Sequence, residues 1–169
     1  MTKKPEARTL EPRSPAASAT ETVELVLPND ANPLGFILGG RVMHMIDIVG
    51  AITCHRHAQS RVVTAAVDSL VFLQPIKVGD AIILKSRVTC AFRTSMEVEV
   101  EVFSERALTG ECRLTSRAHL TYVAVDSEGR PRPVPPLLLD NDQDRARADA
   151  ARSRRTERLA RRSATRASS

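Results

Sequence analysis

Between Arg41 and His57 the chain carries Val42, Met43, Met45, Ile46, Ile48, Val49, Ala51 and Ile52. At 3.6 residues per turn these surround a helix on nearly every side. A helix apolar all round is a buried helix, so the rest of the chain has to enclose it. The segments after His57 have the means. Arg61–Leu73 is rich in Val and ends in Gln74-Pro75, and Asp80–Phe92 comes after the turn Val78-Gly79-Asp80. Met96–Val102 alternates strictly, with Met96, Val98, Val100 and Val102 on one face and Glu97, Glu99 and Glu101 on the other. That alternation predicts an antiparallel strand with one face buried and one wet. Gly110 separates it from Cys112–Val125, another long strand closed by a turn at Asp126–Gly129, while Thr22–Leu27 is a short strand before the helix. One helix and then a run of strands points to an α+β fold. Its simplest form is a curved antiparallel sheet wrapped around one long buried helix.

At 169 residues the chain has the size of one domain. Only 3% of it is aromatic against 42% hydrophobic, so the core must be aliphatic. Residues 1–20, polar and with three prolines, read as a disordered arm without the apolar segment of a secretory signal. No apolar run approaches the roughly 20 residues of a membrane-spanning helix. A cytoplasmic protein with no membrane contact is the expectation. Residues 21–140 form the domain, and 141–169 an Arg/Ala-rich tail, disordered or partly helical. The net charge of +5 belongs to that tail, where nine arginines stand against three acids from Asp144 onward. The charge therefore says little about the body, and the shortage of aromatics for base stacking weighs against nucleic acid as a partner.

Cys54, Cys90 and Cys112 are an odd number without CxxC spacing, which argues for small buried hydrophobes rather than disulfides or a zinc site. His44, His55 and His57 do not share ligand spacing, so no metal is expected. Cations are instead favoured at the helix end where His55, Arg56 and His57 fall. There is no Gly-x-Ser-x-Gly elbow, P-loop or dinucleotide fingerprint.

Asp47 is the anomaly. It is the one acid on an apolar helix, where an unpartnered carboxylate costs several kcal/mol to bury. It is either paired with an arginine or backbone amides, or it is a general base or nucleophile. Gly39-Gly40 open the same helix, leaving free amides at the positive end of its dipole, a site suited to a developing oxyanion. Asn32, a turn residue before Pro33, adds an amide that could orient a carbonyl or a water.

The stretch Asn32–Asp47 (NPLGFILGGRVMHMID) resembles the signature of hotdog-fold acyl-CoA thioesterases, in particular the YciA-like and cytosolic acyl-CoA hydrolases. The resemblance continues in Phe72–Asp80 (FLQPIKVGD), Arg93–Val98 (RTSMEV) and Ala118–Asp126 (AHLTYVAVD), and covers about residues 22–140. It implies hydrolysis of acyl-CoA to a free acid and CoA without a metal or organic cofactor. It also implies two protomers paired edge to edge, with three such dimers in a hexamer and the site between protomers. In that reading Asn32 of one protomer faces Asp47 of the other, and Asp47 is base or nucleophile. Gly39 and Gly40 amides polarise the carbonyl. Arg93, Thr94, Ser95 and Met96 line the pantetheine channel, with Arg93 a candidate for a CoA phosphate. Leu38 stands where members often have Phe or His, and Pro33 stiffens the loop; both bear on which acyl group is taken. Related dehydratases carry a His with an acid at the helix start, whereas here the acid lies well inside the helix, which favours hydrolysis. Two rivals remain: a non-catalytic acyl-CoA-binding or sensing module, and a nucleic-acid tether built on the basic tail.

Overall fold

The computed structural model describes residues 10–167. A short helix α1 (Pro15–Ser18) leads into strand β1 (Thr20–Leu25). Helix α2 (Gly39–Ala58) precedes β2 (Arg61–Phe72), β3 (Ala81–Ala91), β4 (Ser95–Glu105), β5 (Cys112–Val125) and helix α3 (Asp142–Ala167). The five strands form one antiparallel sheet in the order β1-β3-β4-β5-β2, so β2 is an edge strand. The α+β architecture expected from the sequence, a sheet wrapped around one long helix, is the one observed. Among the described residues no helix is long and apolar enough to cross a membrane.

Val42, Met45, Ile46 and Val49 recur at helical spacing and are buried against Leu84, Met96, Val98, Val100, Leu120 and Tyr122 of the sheet. Each such side chain contributes about 1.5–3 kcal/mol on burial, and Tyr122 is the one aromatic in this buried core cluster. Burial on every side of α2, expected from its composition, is not what one protomer provides. Met43 and Ile48 are 46% and 45% exposed, next to an edge strand whose Val63, Val67 and Val71 are about half exposed. The apolar circumference of α2 is covered on the sheet side only.

The opposite face of the sheet departs further from expectation. Of the row Glu97, Glu99, Glu101, expected to face water, Glu97 and Glu99 meet α3, Glu97 being 1% exposed, while Glu101 pairs with Arg117 of β5. Arg154 meets Glu97 with two hydrogen bonds (2.8 and 3.0 Å), and Arg158 reaches Asp68 at 2.6 Å. Arg147 lies 3.5 Å from Glu99. Ala148 and Ala151 are buried between these arginines. The arginines of the tail are thus partly consumed by acids of the sheet, and the tail, expected to be disordered or partly helical, is the continuous helix α3 packed on the domain.

Of the N-terminal arm, residues 1–9 lie outside the described residues. Residues 10–20 are packed rather than disordered: Ser18 and Thr20 are buried, and Arg13 donates to the carbonyls of His57 (2.6 Å) and Arg56 (3.1 Å). Arg13 thereby supplies the positive charge that the C-terminus of α2 favours. His57 does not, because its ring is fully buried beside Pro135 and desolvation lowers its pKa. Cys54 and Cys90 are buried as expected, but Cys112 is exposed.

The Glu97–Arg154 pair makes a direct prediction. Arg154→Ala leaves a buried carboxylate without its charged partner, with only the Thr89 hydroxyl still donating to it, and lowers stability by about 3–5 kcal/mol in denaturant titration. Arg152→Ala, whose pair with Asp149 is exposed, costs no more than about 1 kcal/mol.

Candidate active site

Asp47 sits midway along α2 and faces β2 and β5. Its Oδ1 accepts a hydrogen bond from Thr64 Oγ1 at 2.6 Å and from Tyr122 Oη at 3.1 Å. Neither donor stands out in the sequence. Thr64 is one more β-branched residue in a Val-rich strand. Tyr122 is the chain's one tyrosine, at an inward position of β5 that an apolar residue would otherwise fill. The pairing of the acid with an arginine or with backbone amides, one of the two readings of Asp47, is not what the structure contains. Its partners are two hydroxyls. Burial, with the Asp47 charge adding to it, pushes the Tyr122 phenol well above its ordinary pKa, so it stays a donor. Asp47 lies at a cavity of about 240 Å³ lined otherwise by Met43, His44, Ile46, Thr64, Val67, Leu70, Ala118 and Leu120.

Asn32 lies elsewhere, at a separate cavity of about 370 Å³ bordered by Phe36, Gly39, Val42, Phe72, Gln74 and Ser116 among others. Its loop is tightly determined. Asn32 Oδ1 accepts from the amides of Leu34 (3.0 Å) and Phe36 (3.2 Å), and Gly35 turns the chain at φ +79°. Arg41, in the first turn of α2, ties the loop down through Asp30 at 3.1 Å. Because its oxygen is committed to the loop, Asn32 presents only its NH2 group outward, as a donor.

Gly39 borders the Asn32 cavity, with Phe72 packed across it, and Gly40 is open to solvent. Among the described residues neither glycine amide donates to a protein group. Asp47 lies eight positions beyond Gly39 on the helix, about 12 Å along the axis. Within one chain, then, the glycine amides and Asp47 do not meet at one carbonyl. The residues predicted for the site thus divide into two separate halves: Asn32 with Gly39-Gly40, and Asp47, beside which the structure sets Thr64 and Tyr122.

Arg93, Thr94, Ser95 and Met96 border neither cavity. They form the β3–β4 hairpin, in which Phe92 N donates to Ser95 O at 2.8 Å. Met96 is fully buried in the core, so its side chain does not line a surface channel; the alternation that places it inward with Val98 and Val100 is the reason. Among the described residues no group of three or more His, Cys, Asp or Glu is placed to hold a metal ion.

A family model for the thioesterase superfamily matches residues 34–123. The chain is 40% identical over 119 residues to the uncharacterized acyl-CoA thioester hydrolase YkhA of Bacillus subtilis, covering 70% of this chain and 69% of that protein. It is 32% identical over 146 residues to the cytosolic acyl coenzyme A thioester hydrolase of Mus musculus, covering 85% of this chain but only 38% of that longer protein. Among solved structures it is similar to the acyl-CoA hydrolase of Staphylococcus aureus in complex with butyryl coenzyme A, coenzyme A and coenzyme A disulfide. That likeness has a TM-score of 0.85 at 35% identity and covers 92% of this chain and 95% of the other. A hexameric acyl-CoA thioesterase without ligand matches at TM-score 0.86 and 43% identity, covering 90% and 97%. The Staphylococcus aureus enzyme has also been solved with an aspartate, an asparagine and a threonine each replaced by alanine.

The double role of the Asn32 side chain can be separated. Asn32→Ala, which removes the acceptor of two loop amides that water can reach, lowers stability by about 0.5–1.5 kcal/mol. Asn32→Asp keeps the Oδ1 acceptor and replaces the outward NH2 donor by a charged oxygen, so its thermal unfolding stays closer to that of wild type than that of Asn32→Ala does.

Proposed function

The chain belongs to the thioesterase superfamily, and from that premise we propose that it hydrolyses acyl-CoA thioesters to a free carboxylic acid and CoA. The observation that carries this reading is Asp47, an acid with one oxygen held by Thr64 and Tyr122 and the other, Oδ2, without a hydrogen bond among the described residues. A carboxylate so held, at the edge of an aliphatic cavity, is placed to take a proton from water. The aspartate, asparagine and threonine replaced in the Staphylococcus aureus enzyme stand at the same spacing along the chain as Asp47, Asn32 and Thr64 here.

The two half-sites come together between protomers. β2 is an unpaired edge with an apolar row, the kind of edge that a second copy covers. Two β2 strands (Arg61–Phe72) joined antiparallel about a two-fold near their middle set the Phe72 end of one beside the Thr64 end of the other. Phe72 borders the Asn32 cavity and Thr64 the Asp47 cavity. The same pairing covers Met43 and Ile48, completing the burial of α2. Assembly of such dimers into a hexamer is in keeping with the similar hexameric thioesterase, and a cytosolic location with the relative so described.

In the complete site the acyl chain lies among Met43, Val67 and Leu70, with the thioester carbonyl toward the partner's Asn32 NH2 and the amides of the partner's Gly39 and Gly40. Asp47 accepts a proton as water oxygen attacks the carbonyl carbon, and the charge that builds on the carbonyl oxygen is met by those donors. Collapse breaks the C–S bond, and the proton passes to the departing sulfur. The reaction draws on water, substrate and protein groups alone. Arg93, Thr94 and Ser95 remain candidates for the outer part of the CoA path.

Thiol release from a panel of acyl-CoA esters tests this. Asp47→Asn is expected to lower kcat by about 10²–10⁴-fold with the fold intact. Undiminished turnover of every ester by that variant would refute the assignment, and CoA-ester binding without thiol release by wild type would make the chain a binding module.

A further inference from the structure

Tyr122 is completely buried, yet its hydroxyl is aimed at the one acid of the helix above it. It lies 3.1 Å from Asp47 Oδ1 and 2.9 Å from the Asp47 backbone carbonyl. A phenol has one proton to donate, so these two acceptors share it. The carbonyl already accepts the helical bond four residues on, whereas Oδ1 gains most from a donor when the carboxylate is charged.

The approach is possible because position 50, one turn after Asp47, is glycine. A Cβ there would come within 3.0 Å of Tyr122 Cζ and closer still to its oxygen. Glycine in the interior of a helix costs about 1 kcal/mol relative to alanine, and this one sits in the middle of α2. The contact with Tyr122 accounts for it.

We infer that Tyr122, admitted by Gly50, is a positioning residue for the reaction, holding the Asp47 carboxylate so that Oδ2 alone faces the cavity. Thr64 and Tyr122 reach Oδ1 from two strands, β2 and β5, so the two hydrogen bonds fix the plane of the carboxylate as well as its place. The single Tyr122 proton has a second resting point on the Asp47 carbonyl. When the carboxylate takes up a proton during turnover, the phenol turns to that carbonyl and returns when the charge does, and no buried donor is stranded at either stage. The other titratable groups nearby are His44, which borders the cavity from α2, and the buried Cys54 thiol, which burial keeps protonated. The inference rests on the proposed role of Asp47 in hydrolysis.

Tyr122→Phe keeps the ring in the core and removes only the hydroxyl. With 13C-labelled aspartate, the infrared difference between wild type and Asp47→Asn isolates the Asp47 carboxylate band, and the same difference taken in the Tyr122→Phe background reports the lost hydrogen bond. A shifted band is expected, together with a kcat lowered about tenfold or more and a KM within about twofold. Gly50→Ala, which displaces the ring, should reproduce both. An unmoved band overturns the inference, as does a kcat close to wild type. The band is read without turnover, so if the wild-type protein releases no thiol from any ester, the hydrolase reading fails separately while the spectrum still decides whether Tyr122 holds Asp47.

Discussion

α2 lies against the concave face of the sheet along Val42, Met45, Ile46 and Val49, and at Gly50 it comes close enough for Tyr122 Oη to reach the Asp47 carbonyl at 2.9 Å. That seat determines the rest. It sets the depth of Asp47 relative to β2, and so brings Thr64 within 2.6 Å. It also leaves Met43 and Ile48 outward beside an open edge strand, an arrangement a single copy leaves unfinished. Two hydroxyls, rather than a cation, hold the acid. A salt bridge would fix the carboxylate too, but a neighbouring cation favours the ionised form and would weaken it in the proposed role of base.

The other face of the sheet obeys a different logic. Acids that would be ordinary on a wet surface are covered by α3, and each deeply buried one has its own arginine: Glu97 with Arg154 and Asp68 with Arg158. Asp68 also accepts from Thr121 at 2.8 Å. These pairs fasten α3 across strands β2, β4 and β5. Since β2 carries Thr64, the helix on the outer face steadies the strand that contacts Asp47 on the inner one.

Much of this is legible in the sequence and some of it is not. An acid on an apolar helix and four period-2 runs are local signals, and they indicate both the wrap of the sheet and Asp47. Thr64 and Tyr122 are partners through register, Thr64 lying opposite Tyr122 across the β2–β5 ladder, and register is not written in either segment alone. The covered glutamates escape a reading of alternation because alternation reports that two faces differ in polarity, not that the polar one is wet. A signal for α3 is present: Arg147, Ala151, Arg154 and Arg158 recur on one helical face with Ala148, a stripe of small residues and arginines that suits a flat acidic surface. Resemblance puts Met96 in a channel, against its own inward phase. The distance between Gly39 and Asp47 along one helix is readable from the sequence, and it is the observation behind the proposal of a site shared by two chains.

The most direct test of a site divided between protomers is complementation. Asn32→Asp and Asp47→Asn, each inactive alone on acyl-CoA esters, are co-expressed so that dimers assort at random. A dimer holding one of each has one site with both residues intact, so the mixture should recover about a quarter of wild-type thiol release. Activity no higher than that of the two variants assayed separately would contradict the account, because it would place Asn32 and Asp47 in sites within one chain.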